Sequence, residues 1–207
     1  MLTNYVKYIE FLDERLGRFF ASQEPYIFCK KGCGKCCQNS QYPYSKLELA
    51  YLLEGAKKLD VEVQRKINAN VEKILKARET YDGDFLRYDC PFLIDNECCV
   101  YEYRGIICRT FGLMMLDEEK GIKAPFCYEQ GLNYSNAMQE DGKNVSVEKF
   151  LALGVKEEPT AFNISYKFLT DEAFEKMFNI EFGEKKHLIE WFVEGDLKSK
   201  SDCNNIE

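Results

Sequence analysis

Apolar residues recur every three or four positions in several stretches of the chain, which is the spacing expected of amphipathic helices. In the first stretch, residues 2–21, they form one apolar stripe, and Pro25 is expected to end the helix. A second helix is expected to begin at Ser45, because Ser45 and Glu48 have the spacing of a capping box ahead of an apolar run. The same periodicity predicts further helices over residues 60–79, 146–153, 170–179 and 184–194.

The middle of the chain lacks this periodicity. From Asp84 to about Lys123 the sequence is aromatic and irregular, and proline and glycine residues interrupt it. Within it, residues 112–122 place an apolar run, a charged turn and a second apolar position in succession, which predicts a short hairpin. Helices should therefore dominate the fold, with a small irregular β or loop region between them.

The composition is that of a folded protein, with 45% hydrophobic and 14% aromatic residues. The formal net charge is −7 and no basic cluster with interleaved aromatics is visible, so nucleic-acid binding is not expected. No segment approaches the roughly 18 apolar residues of a membrane span, so membrane insertion is not expected either. The N-terminus lacks a basic region followed by an apolar one, which predicts a cytoplasmic location.

Ten cysteines are unusual for a cytoplasmic chain of 207 residues, because structural disulfides seldom persist in a reducing compartment. Four of them fall within nine residues, namely Cys29, Cys33, Cys36 and Cys37. Gaps of two or three residues let a loop turn successive thiols towards one point, and the intervening glycines permit the positive φ angles that such a loop often needs. Several thiolates repel one another unless a cation lies between them. The cluster therefore predicts a metal site.

Cys36 and Cys37 are adjacent, and the side chains of neighbouring residues normally diverge. Both thiols on one small mononuclear site would be awkward. Two separate sites, or a larger cluster with a neighbouring site, fit the spacing better. All-sulfur ligation is compatible with tetrahedral zinc and with iron–sulfur clusters, and it disfavours magnesium, calcium and manganese.

The later cysteines complete a recognisable pattern. Cys90 begins a Cys-Pro-Phe-Leu run, and Cys98, Tyr101, Arg104, Cys108 and Arg109 follow at fixed spacing before a last cysteine, Cys127. In this arrangement the chain resembles the YkgJ-type cysteine-cluster family, also named CxxCxxCC and described as a zinc- or iron-chelating domain. The resemblance spans roughly residues 26–128. Gly105 stands where the family usually has proline.

The resemblance implies eight metal ligands, which are Cys29, Cys33, Cys36, Cys37, Cys90, Cys98, Cys108 and Cys127. It implies no ligand role for Cys99. Arg104 and Arg109 flank Cys108 and are candidates for hydrogen bonding to sulfur or neutralising the cluster charge, although either could equally be an ordinary ion-paired arginine. The family is distantly similar to the flagellin lysine N-methylase group, which is thought to use an iron–sulfur centre.

The remaining residues offer little other chemistry. His187 is the only histidine, and it is expected to be solvated in a late helix, so an imidazole-based site is not expected. Cys203 is expected to be a thiol in the C-terminal tail. Four aromatic residues near the cysteines could shield a redox cluster or could be plain core, namely Phe28, Phe92, Phe111 and Phe126.

The expected architecture is one domain over residues 1–207, mainly α with a small irregular β or loop region. It consists of a cysteine-cluster metal-binding core at 26–128 and a helical C-terminal extension at 129–207. The expected cofactor is an iron–sulfur cluster, of the [4Fe–4S] type, or zinc. Three functions remain open: a redox or protein-modifying iron–sulfur protein that acts on an unidentified protein partner, a zinc-stabilised interaction module, and a metal-handling chelator. Catalytic residues are not identified, and whether the protein is an enzyme stays open.

Overall fold

The computed structural model describes residues 1–38, 41–83, 86–117 and 121–193. Cys203 therefore lies outside the described residues. Helices dominate the described part of the chain. They are α1 (Leu2–Ser22), α2 (Lys46–Ala56), α3 (Val61–Glu79), α4 (Ile106–Thr110), α5 (Val147–Leu153), α6 (Tyr166–Leu169), α7 (Glu172–Phe178) and α8 (Leu188–Val193). Short 3₁₀ turns cover Glu24–Tyr26, Lys35–Cys37, Tyr101–Tyr103 and Phe126–Gln130.

The strands in the described residues form small two-stranded antiparallel sheets. Their members are β1 (Pro43–Ser45), β2 (Leu93–Ile94), β3 (Glu97–Cys98), β4 (Met115–Asp117), β5 (Gly121–Lys123) and β6 (Lys185–His187). β1 pairs with β6, β2 with β3, and β4 with β5. The prediction of a mainly α fold with small β regions is confirmed.

Most of the predicted helices are present. α1 and α3 match the predicted ranges closely and α2 begins where predicted, because long periodic patterns or clear start signals decide them. At the start of α2, the Ser45 hydroxyl accepts the Glu48 N–H while the Glu48 carboxylate accepts the Ser45 N–H, so the predicted capping box forms. The predicted hairpin at 112–122 is confirmed by β4 and β5, although residues 118–120 of its turn lie outside the described residues.

The predicted helix over 184–194 is wrong in its first part. Residues Lys185–His187 form β6, which pairs with β1, and α8 begins only at Leu188. The partner strand lies far away in sequence, so local periodicity gives no sign of the pairing. His187 consequently lies on a strand and not in a helix, and it is half-buried, with its Nδ1 atom shielded from solvent.

The chain divides into two compact units, each made of separate segments. Unit 1 comprises Met1–Cys36 and Gly105–Glu181, and unit 2 comprises Cys37–Arg104 and Phe182–Glu207. One boundary falls between the adjacent cysteines Cys36 and Cys37. The expected single domain with a core at 26–128 and an extension at 129–207 stays a prediction.

Unit 1 has a core formed around α1, whose stripe of Tyr8, Leu12 and other residues is almost fully buried. The Tyr8 hydroxyl donates to the Leu169 carbonyl oxygen at the end of α6, at 2.6 Å, which ties α1 to a segment late in the chain. A second cluster of buried residues lies near the cysteine loop; it consists of Tyr26, Met114, Ala124, Tyr134, Ala137 and Met138.

Unit 2 has buried residues on α2, α3 and α8. α3 contacts α8, and α3 also contacts β2. Trp191 on α8 is buried, and its indole N–H donates to the Tyr44 carbonyl oxygen on β1 at 3.1 Å. The N–H of Ile189 donates to the hydroxyl of Tyr88 at 3.2 Å, so α8 holds both β1 and the segment that leads to Cys90. No helix in the described residues is long and apolar enough to cross a membrane.

Candidate metal centre

The loop that carries the first cysteines turns sharply between Cys29 and Cys33. The N–H of Cys33 donates to the Lys30 carbonyl oxygen at 2.9 Å, and Gly32 has a φ of 92°. A positive φ at the third residue of such a turn is the conformation that glycine adopts without strain. The 3₁₀ turn Lys35–Cys37 follows at once. The loop therefore bends twice within nine residues, as the spacing of its cysteines predicts.

Three thiols of this loop face a fourth from a distant part of unit 1. Burial and, to a smaller extent, the neighbouring thiols of Cys33, Cys36 and Cys127 together raise the pKa of the Cys29 thiol to about 12. Burial likewise raises the pKa of Cys127 to about 11, and Cys36 and Cys33 also contribute. Thiols that disfavour one another's ionised form in this way lie close together. We call these four residues the unit 1 thiol set.

Cys127 reaches this set from the 3₁₀ turn Phe126–Gln130 and is only 4% exposed. The backbone N–H of Asn133 donates to its sulfur, which partly offsets the rise in the pKa of Cys127. The side-chain oxygen of Asn133 accepts the N–H groups of Phe28 and Cys29, at 2.9 and 2.8 Å. Asn133 therefore contacts both ends of the unit 1 thiol set. It lies outside the predicted core, and no sequence motif pointed to it.

A second group of cysteines lies in unit 2 and is held by main-chain hydrogen bonds. The N–H of Cys90 donates to the Cys37 carbonyl oxygen at 2.8 Å. β2 and β3 then form a hairpin whose two turn residues, Asp95 and Asn96, both have positive φ, which is the geometry of a type I′ turn. The hairpin returns the chain so that Cys98 lies opposite Leu93.

Cys99 follows at the end of this hairpin. Its N–H donates to the Phe92 carbonyl oxygen at 3.0 Å, and its thiol is half-buried. Burial raises the pKa of Cys99 to about 11, with a further contribution from Cys98. We call Cys37, Cys90, Cys98 and Cys99 the unit 2 thiol set. Cys108 lies on α4 in unit 1 and is half-buried, and its role as a ligand stays a prediction.

The nine cysteines in the part of the chain that the structure describes are all thiols. As these side chains stand, no group of three or more His, Cys, Asp or Glu residues among the described ones has the arrangement that holds a metal ion. Ligation would therefore require the thiols to rotate towards a common point. The donor chemistry fits zinc or iron, because sulfur is the ligand that both accept in closed protein sites.

The two candidate arginines have clear partners. Arg109 is only 3% exposed, and its guanidinium forms an ion pair with the Asp13 carboxylate on α1 at 2.5 Å. The Arg104 guanidinium stacks on the Tyr101 ring at 3.7 Å and donates to the Tyr101 carbonyl oxygen at 2.6 Å. These contacts show structural roles for both residues. Their predicted interaction with cysteine sulfur stays a prediction.

The aromatic residues near the cysteines differ in their surroundings. Phe28 is 43% exposed, so it provides little shielding. Phe92 is buried in unit 2, next in sequence to the Cys90 segment. Phe111 and Phe126 form an edge-to-face pair in unit 1, with ring centroids 5.0 Å apart. Phe126 immediately precedes Cys127 in sequence. Shielding of a cluster by the other three residues stays a prediction.

A cleft of about 540 Å³ opens beside the unit 2 thiol set. α3 forms one wall through Lys73, Ile74 and neighbouring residues, and the segment from Arg87 to the hairpin turn forms the other. Cys90 lines the cleft, so one thiol of this set faces a space that is open to solvent. Basic and acidic side chains both border it.

The pattern of these cysteines matches a known family. Residues 28–128 match the family model CxxCxxCC, whose description reads "Putative zinc- or iron-chelating domain". The resemblance to a family of this description is confirmed for these residues, while the YkgJ-type label and the distant similarity to the flagellin lysine N-methylase group stay predictions. No curated protein and no solved structure matches the chain.

The matched residues contain all eight predicted ligands and also Cys99. The structure brings four of the eight together as the unit 1 thiol set, and holds three others near the Cys90 hairpin in unit 2. Asn133 lies five residues beyond the end of the domain as the family defines it.

Proposed function

We propose that this chain binds zinc or iron as thiolate complexes at two centres, one in each unit. The observation that carries the proposal is the proximity of four thiols from distant positions; burial, together with the neighbouring thiols, raises the pKa of Cys29 to about 12. A protein has little reason to collect thiols that disfavour one another's ionisation unless a cation is to replace their protons. The description of the CxxCxxCC domain supports the same chemistry.

The unit 1 centre is proposed to use Cys29, Cys33, Cys36 and Cys127. At neutral pH the thiols of Cys29 and Cys127 are protonated in the metal-free protein, because burial raises their pKa values to about 12 and about 11. Metal uptake therefore releases protons, and the bound cation offsets the repulsion that burial strengthens. The N–H of Asn133 already points at the sulfur of Cys127, and such a donor favours the thiolate form.

The unit 2 centre is proposed to use Cys37, Cys90 and Cys98. The boundary between the units falls between Cys36 and Cys37, which supports the inference that two adjacent cysteines serve two different centres. Cys99 lies beside Cys98 in the same thiol set and is available as a fourth sulfur. Arg104, which lies in the same unit, and Arg109 in unit 1 keep their proposed roles as neutralising charges.

We propose an iron–sulfur cluster of the [4Fe–4S] type as the occupant of the unit 1 centre. Three cysteines at short loop spacing plus one from a distant position are a usual ligand set for such clusters. The Phe111 and Phe126 pair beside Cys127 would limit the access of water to it. Such a cluster would supply electron transfer, or activation of a substrate in a protein-modifying reaction. The cleft beside Cys90 offers room for a substrate group in unit 2.

The experiment is purification of the full chain without air, followed by analysis of iron, zinc and acid-labile sulfide. The proposal predicts bound metal in thiolate ligation, with a brown colour that dithionite bleaches and sulfide in proportion to iron. A colourless protein that contains zinc and unfolds when a chelator removes it would instead indicate a structural module. Bound metal that exchanges rapidly with a chelator while the fold persists would indicate metal handling. A folded protein that contains neither iron nor zinc would contradict the proposal.

The remaining expectations belong to the same proposal. A cytoplasmic location is supported by the chemistry, because thiolate ligands survive best in a reducing compartment. A protein partner is expected only if the iron–sulfur form modifies another protein, and pull-down with the anaerobically prepared protein would test for one.

A further inference from the structure

Asn133 is a fully buried polar residue with an unusual set of contacts. Its side-chain oxygen accepts two backbone N–H groups, from Phe28 at 2.9 Å and from Cys29 at 2.8 Å. Its side-chain nitrogen donates to the Gly112 carbonyl oxygen at 2.8 Å. The amide can make these bonds in one orientation only, because the oxygen faces donors and the nitrogen faces an acceptor. One side chain therefore fastens the start of the cysteine loop to residue 112.

The surroundings of Asn133 are fitted to this arrangement. Gly112 has a φ of 107°, and a Cβ atom at that position would lie 2.8 Å from the Asn133 side-chain nitrogen. A side chain at residue 112 would thus collide with the amide that bonds it. The neighbour of Asn133, Tyr134, donates its N–H to the Tyr26 carbonyl oxygen at 2.7 Å. The whole segment is held against the chain just before Cys29.

The backbone of Asn133 acts on the other end of the same thiol set. Its N–H donates to the sulfur of Cys127, while the N–H of Leu132 donates to the Cys127 carbonyl oxygen at 3.1 Å. A single residue therefore bonds the backbone of Cys29 through its side chain and the sulfur of Cys127 through its main chain. These two cysteines are the members of the set that lie furthest apart in sequence.

We propose that Asn133 is a positioning residue that sets the separation between Cys29 and Cys127 and so preorganises the unit 1 centre for its metal. This inference rests on the proposed function. Its physical basis is that loops are mobile unless their backbone groups are bonded, and ligands held in place before binding lose less conformational entropy when the metal arrives. Groups that orient metal ligands typically change metal affinity by about tenfold to a hundredfold when they are removed.

The test uses the full chain and Co²⁺ as the probe, because thiolate-to-cobalt charge-transfer absorption reports the number and geometry of sulfur ligands. The component of Co²⁺ binding that is lost in Cys127→Ser defines the unit 1 centre. Asn133→Ala should weaken that component by about tenfold to a hundredfold and lower its charge-transfer intensity. The component that persists in Cys127→Ser should not change.

Two control variants separate positioning from general stability. Asn136 lies in the same segment and donates to the Pro25 carbonyl oxygen at 2.9 Å, so Asn136→Ala removes a comparable bond that does not reach a cysteine. Tyr8→Phe removes the buried hydrogen bond to the Leu169 carbonyl oxygen and lowers stability away from the loop. Both should bind Co²⁺ at the unit 1 centre as the wild type does. Equal weakening in Tyr8→Phe and Asn133→Ala would overturn the proposal.

Asn133→Asp keeps the inference testable if the alanine variant does not fold. The aspartate is nearly the same size and can still accept the N–H groups of Phe28 and Cys29, but it cannot donate to the Gly112 carbonyl oxygen. We expect weakened Co²⁺ binding with an altered charge-transfer spectrum. Wild-type affinity and spectrum in both Asn133 variants would overturn the inference alone, whereas a wild-type chain that binds neither Co²⁺, zinc nor iron would overturn the proposed function itself.

Discussion

The two thiol sets are assembled in different ways. In unit 1, a loop ending at Cys36 meets Cys127 from much later in the chain, and Asn133 joins the two parts through its side chain at Cys29 and its main-chain N–H at Cys127. In unit 2, Cys90 and Cys98 lie on either side of one short hairpin, where neighbouring main-chain groups bond each other. The first set depends on tertiary structure, while most of the second depends on a local turn.

This difference has an energetic consequence. Closing a long loop costs more conformational entropy than closing a short one, although the cost grows slowly with length. The unit 1 set therefore needs buried polar bonds and a packed core around it to hold its geometry. The unit 2 hairpin needs only its type I′ turn and a few main-chain bonds. Substitutions far from the cysteines should disturb the unit 1 set more than the unit 2 set.

The largest effect is expected from removing one ligand of each set. Cys127→Ser should abolish metal binding at the unit 1 centre and leave the unit 2 centre loaded, and Cys90→Ser should do the reverse. Serine keeps the size of the side chain but replaces the soft sulfur that zinc and iron prefer. Elemental analysis of the two variants and of the wild type measures the metal bound per chain.

Cys99→Ser tests the fourth position of the unit 2 set, since Cys99 adjoins Cys98 but matches no position of the motif; unchanged metal content would show that Cys99 is not a ligand. Loss of all metal in either Cys127→Ser or Cys90→Ser would show that the two sets serve one centre. The unit 1 and unit 2 thiol sets could then no longer be treated as two separate centres.

Gly112→Ala is expected to have the next largest effect. The new methyl group would approach the Asn133 side-chain nitrogen at 2.8 Å, at a residue whose φ of 107° already disfavours alanine. We expect a loss of about 2–3 kcal/mol in the free energy of unfolding, from strain and overpacking together. Urea denaturation of the metal-free protein measures it.

Gly131→Ala provides the matched control in the same unit. Gly131 also has a positive φ, of 74°, but a Cβ atom there would meet nothing within 4 Å. We expect a cost of about 1 kcal/mol from the backbone alone. Equal costs in the two variants would mean that the contact with Asn133 is soft, and unit 1 would then be less tightly constrained than we infer.

Asp13→Asn should destabilise unit 1 by a smaller amount. The Asp13 carboxylate is 45% exposed, whereas its partner Arg109 is almost fully buried, so the substitution weakens a charged bond to a buried guanidinium. We expect a loss of about 1.5 kcal/mol in the free energy of unfolding. Glu14→Gln should cost no more than about 0.5 kcal/mol, since the Glu14 and Arg18 pair is exposed on both sides. If Glu14→Gln were the costlier of the two, burial of Arg109 would not be the relevant factor.

The smallest effect tests unit 2. Ser45→Ala removes one half of the buried capping box at the start of α2 and should cost about 1 kcal/mol. Ser146→Ala at the more exposed start of α5 should cost less, because its hydroxyl accepts the Lys149 N–H at a long 3.4 Å. Thermal unfolding of both variants gives the order of the two costs.

Local signals in the sequence predicted much of the helical structure. The apolar stripe of α1 and the Ser45 cap are decided by residues within a few positions of one another, so they can be recognised from the sequence alone. The strand Lys185–His187 could not, because its pairing with Pro43–Ser45 involves a partner far along the chain. A strand of three residues has no periodicity that would distinguish it from the start of the following helix.

In the candidate site, too, features set by neighbouring residues were predicted, whereas those set by distant residues were not. The spacing of Cys29, Cys33 and Cys36 predicted a bent loop, and the motif predicted that Cys127 would join it. The assignment of Cys36 and Cys37 to different units was only suggested by their adjacency. Asn133 was not predicted, because a buried asparagine that bonds backbone groups carries no spacing signal and becomes visible only in three dimensions.

The placement of β6 has a consequence for synthesis on the ribosome. All of unit 1 precedes residue 182, whereas unit 2 needs Lys185–His187 to pair with β1 and Trp191 to bond Tyr44. The nascent chain can therefore complete unit 1 before β6 and α8 of unit 2 have been synthesised. If synthesis stopped before residue 182, the chain would contain the whole Cys90 hairpin but not β6 and α8, which complete the core of unit 2.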